Sequence, residues 1–317
     1  MNISNKIVWA VTDGSEGMIS QAKGLSQLLS NNVKNYKTDL IFPWSKLQPG
    51  YLPVFKWIFK HKINFLNKPD ILITCGRKSV YFSLLLKKIF KKEIITIHIQ
   101  DPKINPERFN YVIAPKHDEL EGSNIIQSLG AIHQFTKETI ENYNKDIGIK
   151  YSNNLVSIML GGQNKHYKFS KKIVTELIEK IKRLKNKFPN CIFLVIGSRR
   201  TDETSIDLLK NKLNNTAYVW DKKTKNPYLF ALKNSKFFIV TSDSTSMISE
   251  CAFTGRPVYV YHLPFKRISK RISHFHSEFK KKNITRNFND NLEVWQYKPF
   301  DEAERIAGIL KLRILNN

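Results

Sequence analysis

The feature that most constrains this chain is a strand–helix alternation that runs, stops over a polar stretch, and starts again. "KIVWAVT" (6–12) reads as a strand and "ISQAKGLSQLLS" (19–30) as a helix with Ala22, Leu25, Leu28 and Leu29 on one face. "DILITC" (70–75) and "EIITIHI" (93–99) flank the helical "VYFSLLLKKIFKK", and "YVIAP" (111–115) and "NIIQS" (124–128) follow. Apolar runs of this length without polar alternation belong to strands covered on both faces, as in a parallel sheet. The polar "NYNKDIGIKYSNN" (142–154) breaks the rhythm, which restarts at "LVSIMLGG" (155–162). A long helix with Ile173, Leu177, Ile181 and Leu184 on one stripe comes next, then strands at "CIFLVIG" (191–197), "AYVW" (217–220), "FFIVTS" (237–242) and "PVYVY" (257–261). The expectation is an α/β protein of two Rossmann-like domains with a cleft between them. Residues 1–148 form the first, 149–298 the second, and a helix within 299–317 packs back on the first. A chain of 317 residues exceeds the usual size of a single core, which agrees.

Cysteine and charge narrow the setting. Cys75, Cys191 and Cys251 lie far apart with no CxxC spacing, which argues against a disulfide framework or a zinc site. No run approaches the roughly 20 apolar residues of a spanning helix, and "KIVWAVTDG" turns polar too soon for a signal peptide. The expected location is the cytoplasm. Fifty-two Lys and Arg against 27 Asp and Glu leave a net charge of +25, which suits either a solvated basic surface or an anionic partner. No RNP, zinc-finger or basic-zipper pattern is present, so nucleic acid ranks below membrane, and no nucleic-acid partner is expected.

Four loops at strand ends carry the chemistry. "TDGSEG" (12–17) joins the first strand to its helix, where glycines permit tight turns and helix N–H groups face an anion; Asp13 and Glu16 accompany them. "GGQNKHY" (161–167) is the matching loop of the second half, with Gly161, Gly162, Asn164 and Lys165 placed for a diphosphate. "GSRRTDE" (197–203) offers Ser198, Arg199 and Arg200, and guanidinium forks pair two phosphate oxygens at once. "TSDSTSMISE" (241–250) sets Ser242, Ser244, Thr245 and Ser246 around a strand end and helix start, with Glu250 in the helix beyond, able to accept two ribose hydroxyls. "NPY" (226–228) starts a helix. Separately, "YLPVFKWIFKHKINFLNK" (51–68) mixes Phe55, Trp57, Phe59 and Phe65 with Lys56, Lys60 and Lys62. That mixture suits an interfacial helix on anionic lipid as well as a core helix with a basic outer face.

The frame E-x-x-x-x-G-x-P from Glu250 to Pro257, with hydroxyls upstream, resembles the donor-ribose motif of GT-B glycosyltransferases such as the peptidoglycan N-acetylglucosaminyltransferase. Nine ordered blocks, from "TDGSEGMISQAKGL", "DILITCGRKS", "IQDP", "VIAPKHD" and "NIIQSLGAIH" to "GGQNKHY", "SRRT", "NPY" and "TSDSTSMISECAFTGRPV", resemble bacterial members of the elongated-mitochondria (ELM) fission family. That resemblance implies a GT-B-like fold, with the nucleotide-sugar donor in the second domain and the acceptor in the first. It implies a metal-independent glycosyltransferase without a cofactor, moving sugar to a lipid-linked or envelope-glycan acceptor at the inner face of the cytoplasmic membrane. Rival readings are a non-catalytic membrane adaptor in fission or division and a sugar-nucleotide epimerase. The family's first loop often has His or Asn after its second glycine, where this chain has Met18. Asp13 and Glu16 remain as catalytic bases, with His117, Asp118 and Asp101 as outside candidates.

Overall fold

A computed structural model describes residues 3–61, 68–151 and 153–316. The apolar runs become buried strands, joined in the first unit by an exposed edge strand, Asn32–Lys37. In the first unit these are β1 (Ile7–Thr12), β2 (Asn32–Lys37), β3 (Ile71–Cys75), β4 (Ile95–Ile99), β5 (Tyr111–Pro115) and β6 (Ile125–Ser128). Helices α1 (Glu16–Leu29) and α2 (Arg77–Phe90) cover the sheet. All pairings between these strands are parallel, in the order β2-β1-β3-β4-β5-β6. The reversal of order lies between β1 and β3.

The second unit comprises α3 (Lys137–Glu141), β7 (Leu155–Leu160), α4 (Lys171–Lys187), β8 (Ile192–Gly197), α5 (Glu203–Leu213), β9 (Tyr218–Val219), α6 (Tyr228–Asn234), β10 (Ser235–Thr241), α7 (Thr245–Phe253), β11 (Val258–Tyr261), α8 (Lys270–Lys281) and β12 (Thr285–Asn287). Its parallel sheet runs β9-β8-β7-β10-β11-β12, which is the 3-2-1-4-5-6 order of a Rossmann sheet, with the switch point between β7 and β10. The stripe of α4 is buried as its periodicity predicts: Ile173, Leu177, Ile181 and Leu184 pack against Val156, Ile158 and Phe193.

The chain divides into one unit up to Gln134 together with Asp301 onward, and another from Phe135 to Phe300. The last helix, α9 (Glu302–Leu315), shares the first unit's core: Ile306, Ala307 and Leu310 lie among Ala22, Leu25 and Leu29. Its buried Glu302 carboxylate accepts from the Leu129 N–H at 2.8 Å. The polar stretch 142–154 is more than a linker. Ile149 is buried in the second unit's core, and the Tyr151 hydroxyl donates to Asn234 Oδ1 at 2.7 Å.

The expected helix over 51–68 is corrected. Through His61 the segment is a loop with one 3₁₀ turn at Lys56–Ile58, and residues 62–67, with Lys62 and Phe65, lie outside the described residues. Phe59 does not face outward. Its backbone bridges Leu40 and its ring meets Phe82 edge-to-face at 5.7 Å, because Leu40, Ile58 and Phe82 form an apolar pocket under the loop. Lys60 pairs with Asp39 at 2.8 Å. Among the described residues no helix is long and apolar enough to cross a membrane.

Candidate functional site

In an open α/β sheet, ligands bind beyond the carboxyl ends of the strands at the switch point. In the second unit that place holds the ends of β7 and β10. Its organiser is Asp243, 7% exposed, in the loop between β10 and α7. Its Oδ1 accepts from Thr241 Oγ1 at 2.7 Å. Its Oδ2 accepts from the Gly162 N–H at 2.9 Å and from Arg200 Nη2 at 2.7 Å. The Gly161 N–H donates in turn to Thr241 Oγ1 at 2.8 Å. A Cβ on Gly161 would sit 2.0 Å from the Asp243 carboxylate, and one on Gly162 2.1 Å from the Arg200 carbonyl oxygen. The glycine pair is therefore required by the chain's own packing.

This corrects several expectations. The Gly161 and Gly162 N–H groups are occupied by Thr241 and Asp243, so they are not free for a diphosphate. No helix starts at that loop, since α4 begins only at Lys171. Asn164 turns the loop by accepting from the N–H groups of His166 (2.8 Å) and Tyr167 (2.9 Å), while Lys165 is exposed. Ser198 ties two strand ends together, its hydroxyl donating to the Gly161 carbonyl at 2.9 Å. Arg200 is committed to Asp243. Arg199 is exposed, with no hydrogen bond or ion pair among the described residues. Ser242 is fully buried: its hydroxyl accepts from the Leu263 N–H at 3.0 Å and its carbonyl from His276 Nε2 at 2.8 Å.

What remains open is the start of α7. Ser244 caps the helix, accepting from the Met247 N–H at 3.4 Å. Thr245 and Ser246, both half-buried, have neither side-chain hydroxyl nor backbone N–H bonded among the described residues. Two N–H groups and two hydroxyls thus stand at the positive end of a helix dipole, which is an anion-binding arrangement.

Glu250 lies on the same helix. Burial pushes its carboxyl up to about 7 from 4.5, against the opposing effect of the Tyr228 hydroxyl, which donates to Oε2. Tyr228 is the missed partner. "NPY" does start a helix, with Asn226 Oδ1 accepting from the Tyr228 N–H at 2.9 Å, and that helix aims the phenol at Glu250. The rest of the E-x-x-x-x-G-x-P frame has structural work. Gly255 adopts φ +73° with its α-hydrogen face against Pro299, and Pro257 leads into β11. Glu250 is the frame's one chemical group.

At the first unit's switch point the loop is built differently. Asp13 Oδ1 accepts from the Ser15 N–H at 3.0 Å, and the Gly14 N–H donates to Thr12 Oγ1 at 3.2 Å, so the acid shapes a turn at φ +90° on Gly14. Glu16 opens α1 and is exposed. Met18 packs on Gly76, where a Cβ would lie 2.1 Å from its sulfur. Asp101 accepts from the Lys103 N–H at 2.8 Å and turns its own loop. The side chain of His117 lies outside the described residues.

A family model described as Mitochondrial fission ELM1 matches residues 16–314. An uncharacterized protein of Rickettsia prowazekii is 27% identical over 98% of this chain and 99% of its own. Among solved structures, the Neisseria meningitidis UDP-GlcNAc 2-epimerase bound to UDP-GlcNAc superposes with a TM-score of 0.55, at 11% identity, over 99% of this chain and 100% of that one. A glycosyltransferase of kitacinnamycin gives 0.52, at 11% identity, over 97% and 92%. These likenesses show a GT-B-like fold.

Proposed function

The chain belongs to the mitochondrial fission ELM1 family and has a GT-B-like fold, and on that premise we propose that it is a metal-independent glycosyltransferase. It takes a nucleotide-sugar as donor and delivers the sugar to a lipid-linked or envelope-glycan acceptor on the inner face of the cytoplasmic membrane. The observation that carries the reading is the open N-terminus of α7 at the switch point, with Glu250 five residues further along. Five residues rise about 7–8 Å, comparable to the span from a nucleotide's diphosphate to its ribose diol. Thr245 and Ser246 would hold the diphosphate, Arg199 would reach it from the neighbouring loop, and Glu250 would accept the ribose hydroxyls. As the bond from the anomeric carbon to the leaving oxygen lengthens, charge builds on the diphosphate, and the helix end stabilises it without reorganisation. Asp13 is the base that takes the acceptor hydroxyl's proton.

Calorimetric titration with a panel of nucleotide-sugars tests the reading, with binding lost on Glu250→Ala. Absence of binding across the panel would move the assignment to a membrane adaptor. The resemblance to a UDP-GlcNAc 2-epimerase supports a second reading, epimerisation of the bound sugar. Product analysis without acceptor separates the two: an epimerase converts the donor alone, a transferase does not.

A further inference from the structure

Among the described residues of the loop between β2 and β3, four large apolar side chains stand in water: Phe42 (78% exposed), Tyr51 (73%), Trp57 (60%) and Phe55 (39%). Two of them, Phe55 and Trp57, form one surface, and Phe42 extends from the same bridged loop. The Leu40–Phe59 antiparallel bridge, continued by the Ile41 N–H donating to the Ile58 carbonyl at 3.0 Å, ties the backbone just before Phe42 to that just after Trp57. Phe55 stacks on Trp57 at 5.5 Å. Trp57 rests edge-to-face on the buried Trp44 at 5.1 Å, and the Trp44 indole N–H is fixed on the Pro53 carbonyl at 3.0 Å. Phe55, Trp57 and Trp44 hold one another in place, so a partner bears less of the entropy cost of fixing Phe55 and Trp57. Beneath them Arg77 donates to the carbonyls of Trp44, Ser45 and Leu47, tying the loop to the start of α2.

The charge around the patch selects its occupant. Residues 40–61 contain Lys46, Lys56 and Lys60 and no acid. The acid just before them, Asp39, is held between Lys60 and Lys78, which keep its carboxyl far below the usual range. Aromatic rings interleaved with lysines match the boundary of an anionic bilayer, where rings sit at headgroup depth and ammonium groups meet lipid phosphates. We infer that this loop, through the Phe55–Trp57 stack and the exposed Phe42, with Lys46 and Lys56 beside them in the chain, docks the protein on an anionic lipid bilayer. The surface belongs to the first unit and does not depend on the nucleotide-sugar assignment.

The test is sedimentation of the full chain with vesicles of phosphatidylcholine alone, and with vesicles in which about a third is phosphatidylglycerol. A chain of net charge +25 meets anionic vesicles anywhere on its surface, so the aromatic variant decides. The expected result is binding to the anionic vesicles only, weakened by salt. It should fall by about tenfold or more in Phe42→Ser/Trp57→Ser, and by about fivefold per charge in Lys46→Gln and Lys56→Gln. The melting temperature of each variant, measured alongside, should stay at the wild-type value because the replaced groups are exposed. Binding to anionic vesicles unchanged by Phe42→Ser/Trp57→Ser would overturn the inference, leaving generic charge attraction. Absence of binding to either vesicle would also overturn it and make the patch a protein contact. Should the double variant melt early, Phe42→Ser alone supplies the same comparison.

Discussion

The two switch points occupy the same topological place in their sheets and are filled by opposite chemistry. Between β7 and β10, a glycine pair makes room for a buried carboxylate, and Asp243 gathers an N–H, a hydroxyl and a guanidinium. Between β1 and β3, Gly76 makes room for the thioether of Met18. The helix ends differ in the same sense. The first turn of α7 has no acid, and the nearby Asp243 is neutralised by Arg200, whereas Glu16 sits in the first turn of α1 just beyond Asp13. A helix N-terminus that carries its own acids repels the anion it would otherwise attract. This contrast supports the proposed assignment of the diphosphate to the second unit and of proton transfer to the first unit's carboxylates. A glycine at a strand end signals close approach, and what approaches decides the function.

The largest expected effect tests the polar junction. Asp243→Ala strands the Gly162 N–H, frees Arg200 and opens a void, and should cost about 3–5 kcal/mol of stability in chemical denaturation. Met18→Ala, at the apolar junction, should cost less, since its site is half-buried and collapses more readily. Equal costs would end the claim that Asp243 organises the second switch point.

Next comes the division of labour. Asp13→Asn should reduce turnover by about 10²-fold with donor affinity unchanged. If donor affinity falls while turnover per bound donor is kept, Asp13 serves only to turn its loop through Ser15. Glu250→Ala should do the reverse, weakening nucleotide-sugar binding by about 1.5–3 kcal/mol in calorimetry. Arg199→Ala should weaken nucleoside diphosphates more than nucleosides, and equal losses would return Arg199 to solvent.

The sequence disclosed the strands and the restart of the rhythm because buried parallel strands are apolar throughout. It hid β2, whose residues Asn32–Lys37 are almost all exposed on a sheet edge. It also hid α8, whose basic, histidine-rich face masks the buried Phe275 and Phe279, and the three-residue β12. At the site, hydroxyls, glycines and Glu250 were legible as residue types. Which hydroxyl is free was not, since that depends on neighbours far along the chain: the Ser242 hydroxyl is taken by the Leu263 N–H, while that of Thr245 has no partner among the described residues. Asp243 stands in the sequence as a lone acid, because its partners, Gly162 and Arg200, lie some 80 and 40 residues away. Phe59 and Trp57 are indistinguishable by composition, and only the bridge to Leu40 turns one inward and the other out.

The smallest effect is the most discriminating, because it reads the protonation of Glu250 directly. The carboxyl rests near 7 in the folded protein against 4.5 as its ordinary value, raised by burial and partly lowered by Tyr228. The folded state therefore holds a proton that the unfolded state releases. The stability this contributes is complete below about pH 4.5 and is lost as pH rises through about 7. Ribose hydroxyls donate to the ionised form, so nucleotide-sugar binding should strengthen with pH, by about tenfold between pH 6 and 8. A nucleotide-sugar is the right probe because its diphosphate is esterified at both ends and does not titrate in this range. Tyr228→Phe removes the hydrogen bond that favours the charged form, which moves the midpoint upward and weakens binding at neutral pH by about 1 kcal/mol. At pH values well above the shifted midpoint the variant should approach wild-type affinity, an outcome that simple loss of packing cannot mimic. A flat pH profile in the wild type would mean that Glu250 does not meet the ribose. A parallel loss at every pH in Tyr228→Phe would mean that the phenol contacts the ligand itself, and the polar junction would have one more binding group than Glu250 and the end of α7 supply.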